Sequence, residues 1–155
     1  MDHSQKAYEL FMQGYNCSQS VFAAFCDVTG IDTETALKIS SSFGGGIGRL
    51  REVCGAMSGM LMAAGCLYGY TVAGDYEVKS EHYRLVQSLA YKFKEGAGSM
   101  ICRELLGLDG ASAAESPKRT DEFYNTRPCA KVIRLAAKIL DDYIAERSNV
   151  GQAKV

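Results

Sequence analysis

The residues of this chain best suited to chemistry are its six cysteines: Cys17, Cys26, Cys54, Cys66, Cys102 and Cys129. A thiolate attacks disulfides, reacts with oxidants and binds soft metals. No two of the six stand at C-x-x-C spacing, so neither a thioredoxin-type motif nor a zinc-finger signature is present. Four of them share another property. Cys17 follows Asn16, a good helix N-cap, and Cys54 follows a glycine-rich stretch. Cys102 opens a short helical pattern, and Cys129 follows Pro128 at the start of the last one. A helix start offers free N–H groups and the positive end of the dipole, which favour a thiolate. Arg49 and Arg51 precede Cys54, Arg103 follows Cys102, and Arg127 lies just before Cys129. Cys26 and Cys66 fall late in helical patterns among apolar neighbours, where cysteine acts as a small hydrophobe.

The elements that must position these thiols are helical. Ala7, Leu10, Phe11 and Tyr15 recur at helical spacing, as do Val21, Phe22, Phe25 and Val28 after Asn16. Asp32 can cap a third helix. A run of glycines from Gly44 to Gly48 must break it. A fourth helix starts at Cys54, and Asp75 can cap a fifth that carries Val78, His82, Leu85, Leu89 and Phe93 on one stripe. The short helix from Cys102 stops at Gly107, and residues 108–126 read as a long polar loop. Val132, Ile133, Leu135, Ala136, Ile139, Leu140 and Tyr143 form the apolar face of the last helix. No strand-like alternation, linker or repeat is present. The expected fold is all-α: one domain over 1–148, a bundle of about five to seven helices around a buried central helix, with a frayed tail at 149–155.

Composition narrows the function. The chain has 155 residues, 47% apolar and 23% charged, enough for a core without disulfide staples. With 17 basic and 18 acidic residues, it gives no electrostatic reason to expect nucleic acid or an anionic membrane as partner. Val53 to Gly74 carries no charge, but its five glycines and its hydroxyl groups suit a buried helix better than a membrane span. The polar start Met1-Asp2-His3-Ser4 is unlike a signal peptide, so a cytoplasmic location is expected, where thiols stay reduced, bind metal or do redox work. Homo-oligomerisation stays open.

Among other candidates, His82 reads as a core histidine satisfied by one hydrogen bond, and His3 as part of a frayed end. Gly55, Gly59 and Ala63 lie four apart on one face of the fourth helix, where small residues admit a close neighbour. The glycine run lacks a P-loop lysine and reads as a tight turn that brings Arg49 to Cys54.

The ordered pieces Asn16-Cys17-Ser18-Gln19-Ser20-Val21, Phe43-Gly44-Gly45-Gly46-Ile47-Gly48-Arg49, Cys54-Gly55-Ala56-Met57-Ser58-Gly59, Cys102-Arg103-Glu104-Leu105-Leu106-Gly107 and Cys129 together resemble the C_GCAxxG_C_C family. That resemblance covers nearly the whole chain. It implies a redox-active protein whose functional set is Cys17, Cys54, Cys102 and Cys129, with Cys26 and Cys66 outside it, and it names no reaction. Three readings follow: a dithiol–disulfide redox protein, an electron-transfer module whose four thiolates hold an iron–sulfur cluster or another thiophilic metal, or a helical interaction protein with inert cysteines. Cys54, with two arginines before it and Gly55 after it, is expected to be the most acidic thiol or the first metal ligand, with Gly55, Gly59 and Arg49 in support. The last helix is expected to bring Cys129 towards Cys102.

Overall fold

The computed structural model describes residues 1–152. Among them are nine helices and no strand: α1 (His3–Met12), α2 (Cys17–Ala24), α3 (Cys26–Thr29), α4 (Thr33–Ser40), α5 (Gly55–Tyr68), α6 (Tyr76–Ala97), α7 (Cys102–Leu106), α8 (Asp121–Thr126) and α9 (Cys129–Gln152). The class is all-α, as the periodicity implies. The caps read from the sequence are in place. The side chains of Asn16, Asp32 and Asp75 accept from the N–H groups of Gln19, Thr35 and Val78. Asn16 and Gln19 complete a capping box, so two otherwise orphaned donors at the start of α2 are satisfied together.

Two short helices raise the count above the expected five to seven. The helix expected to run through Val28 breaks at Phe25, whose backbone leaves helical geometry at φ −96°, ψ 12°. The fully buried Phe25 ring stacks on His3 at 4.3 Å. The loop at 108–126 contains α8, because the Thr120 side chain accepts from Phe123 N–H and caps it. At the other end α9 is helical through Gln152, beyond the expected limit at 148, and residues 153–155 of the expected tail lie outside the described residues.

Helix α5 is the centre. Gly55, Ala56, Met57, Gly59, Met60, Ala63 and Ala64 are buried, and it meets α2, α6 and α9. Its 14 residues extend about 21 Å at 1.5 Å per residue, short of a hydrocarbon core. No described helix is long and apolar enough to cross a membrane. The small residues of α5 govern its approach to α2. A Cβ at Gly59 would lie 2.6 Å from the Ser18 carbonyl oxygen, and one at Gly55 would lie 3.2 Å from the Cys17 Cβ.

Two histidines behave differently from expectation. His3 is 5% exposed. One ring nitrogen meets Asp141 at 2.5 Å and the other meets Asp27 at 2.9 Å, tying α1 to α9 and α3. Polar spacing near the chain start gives no sign of this, because both partners are distant in sequence. His82 is half-buried beside the Tyr70 ring, and its Nδ1 has no hydrogen-bond partner among the described residues.

The contact between α2 and α5 gives a paired expectation. Gly59→Ala should destabilise the protein by about 1–3 kcal/mol through overpacking. Gly65→Ala, whose new Cβ meets nothing within 4 Å, should instead stabilise it by about 0.5–1 kcal/mol through helix propensity. Urea unfolding midpoints of the two variants measure both signs.

Candidate thiol site

The four cysteines stand at helix starts. Cys17, Cys102 and Cys129 are the first residues of α2, α7 and α9, and Cys54 is the N-cap of α5. Three backbone devices gather them. The first is the close approach of α5 to α2, which sets Cys17 against Gly55. The second is an isolated antiparallel bridge between Val53 and Ile101. Cys54 N–H donates to Met100 O at 2.8 Å and Cys102 N–H to Glu52 O at 2.6 Å, so these two thiols are held side by side by main chain. The third is the segment from Gly44 to Arg51. Gly45, Gly46, Ile47, Gly48 and Arg49 are successively at positive φ, and Arg51 is again. A left-handed conformation costs a residue with a Cβ roughly 1–2 kcal/mol, so Ile47, Arg49 and Arg51 are strained. At Gly46 a Cβ would meet the Cys102 Cβ at 2.6 Å, so the turn and α7 fit together only with glycine there.

These devices surround a cavity of about 230 Å³ lined by all four cysteines. Arg49, Arg51, Arg119 and Arg127 also line it, together with Phe11, Phe123, Leu105 and Val132. Arg51 is 2% exposed. Its Nε donates to Ser112 Oγ at 2.9 Å, and Nη1 points at Cys102 Sγ from 3.6 Å. Arg49 is bound to Ala113 O, and Arg119 reaches the carbonyls of Phe11 and Tyr15. Arg127 lies over the Phe123 ring at 4.4 Å. Arg103, by contrast, is turned to Glu52 at 3.0 Å and does not line the cavity.

The cysteines divide by environment. Cys17 donates a hydrogen bond to Cys129, which raises the Cys17 thiol well above its ordinary range; burial and the neighbouring thiols push the same way. The same bond lowers Cys129 to about 7 against the opposing effect of burial, with help from Arg127, Arg119 and Arg51. Cys54 is pushed up to about 12 by burial, which outweighs the N–H groups of Ala56 and Met57 that favour its thiolate. The expectation that Cys54 is the most acidic thiol is therefore overturned. Both arginines before it are committed elsewhere, and Cys54 itself is only 4% exposed. Cys129 shares the cavity with Cys102, towards which the last helix was expected to bring it, and Cys17 is the thiol that acts on it most strongly. Gly55 and Gly59 act through the approach of the helices. Arg49 lines the cavity without being aimed at Cys54. Burial raises both Cys26 and Cys66, which lie outside this cluster.

A metal centre needs ligands converging on one point. Among the described residues no group of three or more His, Cys, Asp or Glu side chains is arranged to hold a metal ion. The four thiols share a cavity without forming a ligand set. Sequence reasoning missed Arg119, which sits in the polar loop far from any cysteine in sequence. It is placed by stacking on Phe11 at 4.5 Å and Phe123 at 4.7 Å, contacts without a sequence signature.

A family model described as a "putative redox-active protein (C_GCAxxG_C_C)" matches residues 15–143, a span containing all six cysteines. No curated protein and no solved structure matches the chain.

The thiol environments set an order of reactivity. With neutral iodoacetamide and peptide mapping, labelling of Cys129 should rise through about pH 7, since its pKa lies there and only the thiolate reacts. Cys54 should stay unlabelled throughout the folded pH range.

Proposed function

Because the chain belongs to the C_GCAxxG_C_C family, we propose that it is a cysteine-based redox protein whose working pair is Cys129 and Cys17. The observation that carries this reading is that Cys17 and Cys129, the first residues of α2 and α9, line one arginine-lined cavity, where each shifts the acidity of the other in the opposite direction. Cys129 is the attacking thiolate, present at neutral pH. Cys17 holds its proton until Cys129 has reacted, then becomes the resolving thiol. Once the Cys129 sulfur is bonded to another sulfur, its negative charge is gone and the thiolate of Cys17 is no longer disfavoured by it. Thiol–disulfide exchange needs this order: one thiolate ready near ambient pH and a second that becomes available afterwards.

Cys54 and Cys102 form the floor of the site. Both are buried, and the bridge between Val53 and Ile101 fixes their backbones. The arrangement supports a dithiol over a metal centre, since the four sulfurs do not form a ligand set among the described residues.

Oxidation of the reduced protein with oxidised dithiothreitol, followed by non-reducing peptide mapping, tests the pair. A Cys17–Cys129 disulfide is expected, lost in Cys129→Ser and retained in Cys26→Ala and Cys66→Ala. A disulfide between any other two cysteines as the main product would refute the assignment. Cys17→Ala should move the labelling midpoint of Cys129 up from about 7 towards the free-thiol value of about 8.5. The removed hydrogen bond favoured the thiolate, so its loss must raise the pKa.

A further inference from the structure

The charge lining the thiol cavity is unbalanced. Four guanidinium groups line it, from Arg49, Arg51, Arg119 and Arg127, and no Asp or Glu does. None of these four makes an ion pair with a carboxylate among the described residues. Arg51 is the strongest case, because a guanidinium only 2% exposed is costly to bury without an anion, and its Nη2 makes no hydrogen bond among the described residues. Among the described residues the Arg127 side chain has no hydrogen-bond partner, and it lies over the Phe123 ring. Glu115 acts on Arg49 from outside the cavity. The rest of the wall is mixed: Phe11, Phe123, Leu105 and Val132 give it an apolar side, and Asn16, Ser41 and Ser116 are polar.

We infer that this cavity binds a small organic disulfide carrying carboxylate groups, its carboxylate on the arginines and its sulfurs beside Cys129. Guanidinium groups match carboxylates in fork geometry, and the apolar side suits a short carbon chain. The volume of about 230 Å³ is below that of a pocket for a drug-sized ligand, so the fit is to a small molecule and not to a folded protein's disulfide. The inference rests on the Cys129–Cys17 pair as the reacting dithiol. The Cys129 thiolate attacks one sulfur of the substrate, forming a mixed disulfide and releasing the first substrate half as a thiolate. Cys17 then loses its proton and attacks Cys129 Sγ, releasing the second half. The protein gains one disulfide and gives up the single Cys17 proton, and the substrate disulfide is reduced to one thiolate and one thiol, the latter carrying that proton.

A charge series tests this in single turnover on the full reduced protein. The probes are 3,3′-dithiodipropionate, 2-hydroxyethyl disulfide and cystamine: dianionic, neutral and dicationic. An isolated thiolate in water repels the dianion and favours the dication. The cavity should reverse that order, with the dianion reacting at least about tenfold faster than the dication at low salt. Arg127→Gln should cut this ratio severalfold, and the ratio, unlike the absolute rate, cancels any change in Cys129 acidity. If the dianion is no faster than the neutral probe while Cys129 still labels with iodoacetamide near pH 7, the anion inference falls and the dithiol reading stands. If Cys129 reacts with none of the probes and not with iodoacetamide, the dithiol reading falls and takes this inference with it.

Discussion

Helix α5 and helix α2 touch through backbone where side chains would ordinarily intervene, and the site depends on that contact. Gly55 and Gly59 leave no Cβ between the two axes, and Ser18 and Cys17 fill the space. Interior packing tolerates little error in volume, so this approach fixes the height of Cys17 relative to the start of α5. Cys54, the N-cap of that helix, is fixed by the same contact. The Val53–Ile101 bridge then carries the placement across to Cys102, and α9 brings Cys129 to Cys17. The four cysteines are positioned by glycine more than by their own side chains.

Within that frame, desolvation and cationic charge compete for each thiol, and the outcome differs between neighbours. Every member of the cluster stands at a helix start, so the helix dipole does not distinguish them. Cys54 lies deepest on the floor and loses to burial in spite of two N–H groups. Cys129 is half-buried, receives a hydrogen bond and faces three arginines. A factor shared by four residues cannot assign roles. The local balance of water, hydrogen bonding and charge does so.

Much of this architecture was readable in the chain. Asn16, Asp32 and Asp75 announce their helices by side-chain capping, a rule that operates within four residues. The placement of four cysteines at helix starts follows from the same local logic. What was not readable acts over long sequence distances. The pairing of Val53 with Ile101 involves one residue from each segment, too little for a strand pattern. Arg119 is recruited by aromatic rings from α1 and α8. The acidity of Cys54 was misjudged because proximity in sequence to Arg49 and Arg51 says nothing about where those side chains turn. Arg51 in fact lies against Cys102, reached through a left-handed backbone that no propensity scale favours.

The clasp made by His3 has a consequence for how the molecule is built in time. His3 reaches Asp141, 138 positions along the chain, and α1 lies against α9 as well as α2. Loop closure over such a span comes late, after local helices have formed. A chain emerging from the ribosome would therefore complete α1 early yet leave one of its faces bare until α9 has appeared. Phe11, buried against Phe123 and Tyr124, waits in the same way for α8. Cys17 would leave the ribosome long before Cys129, so throughout most of synthesis one thiol of the cluster exists without the neighbour that sets its acidity.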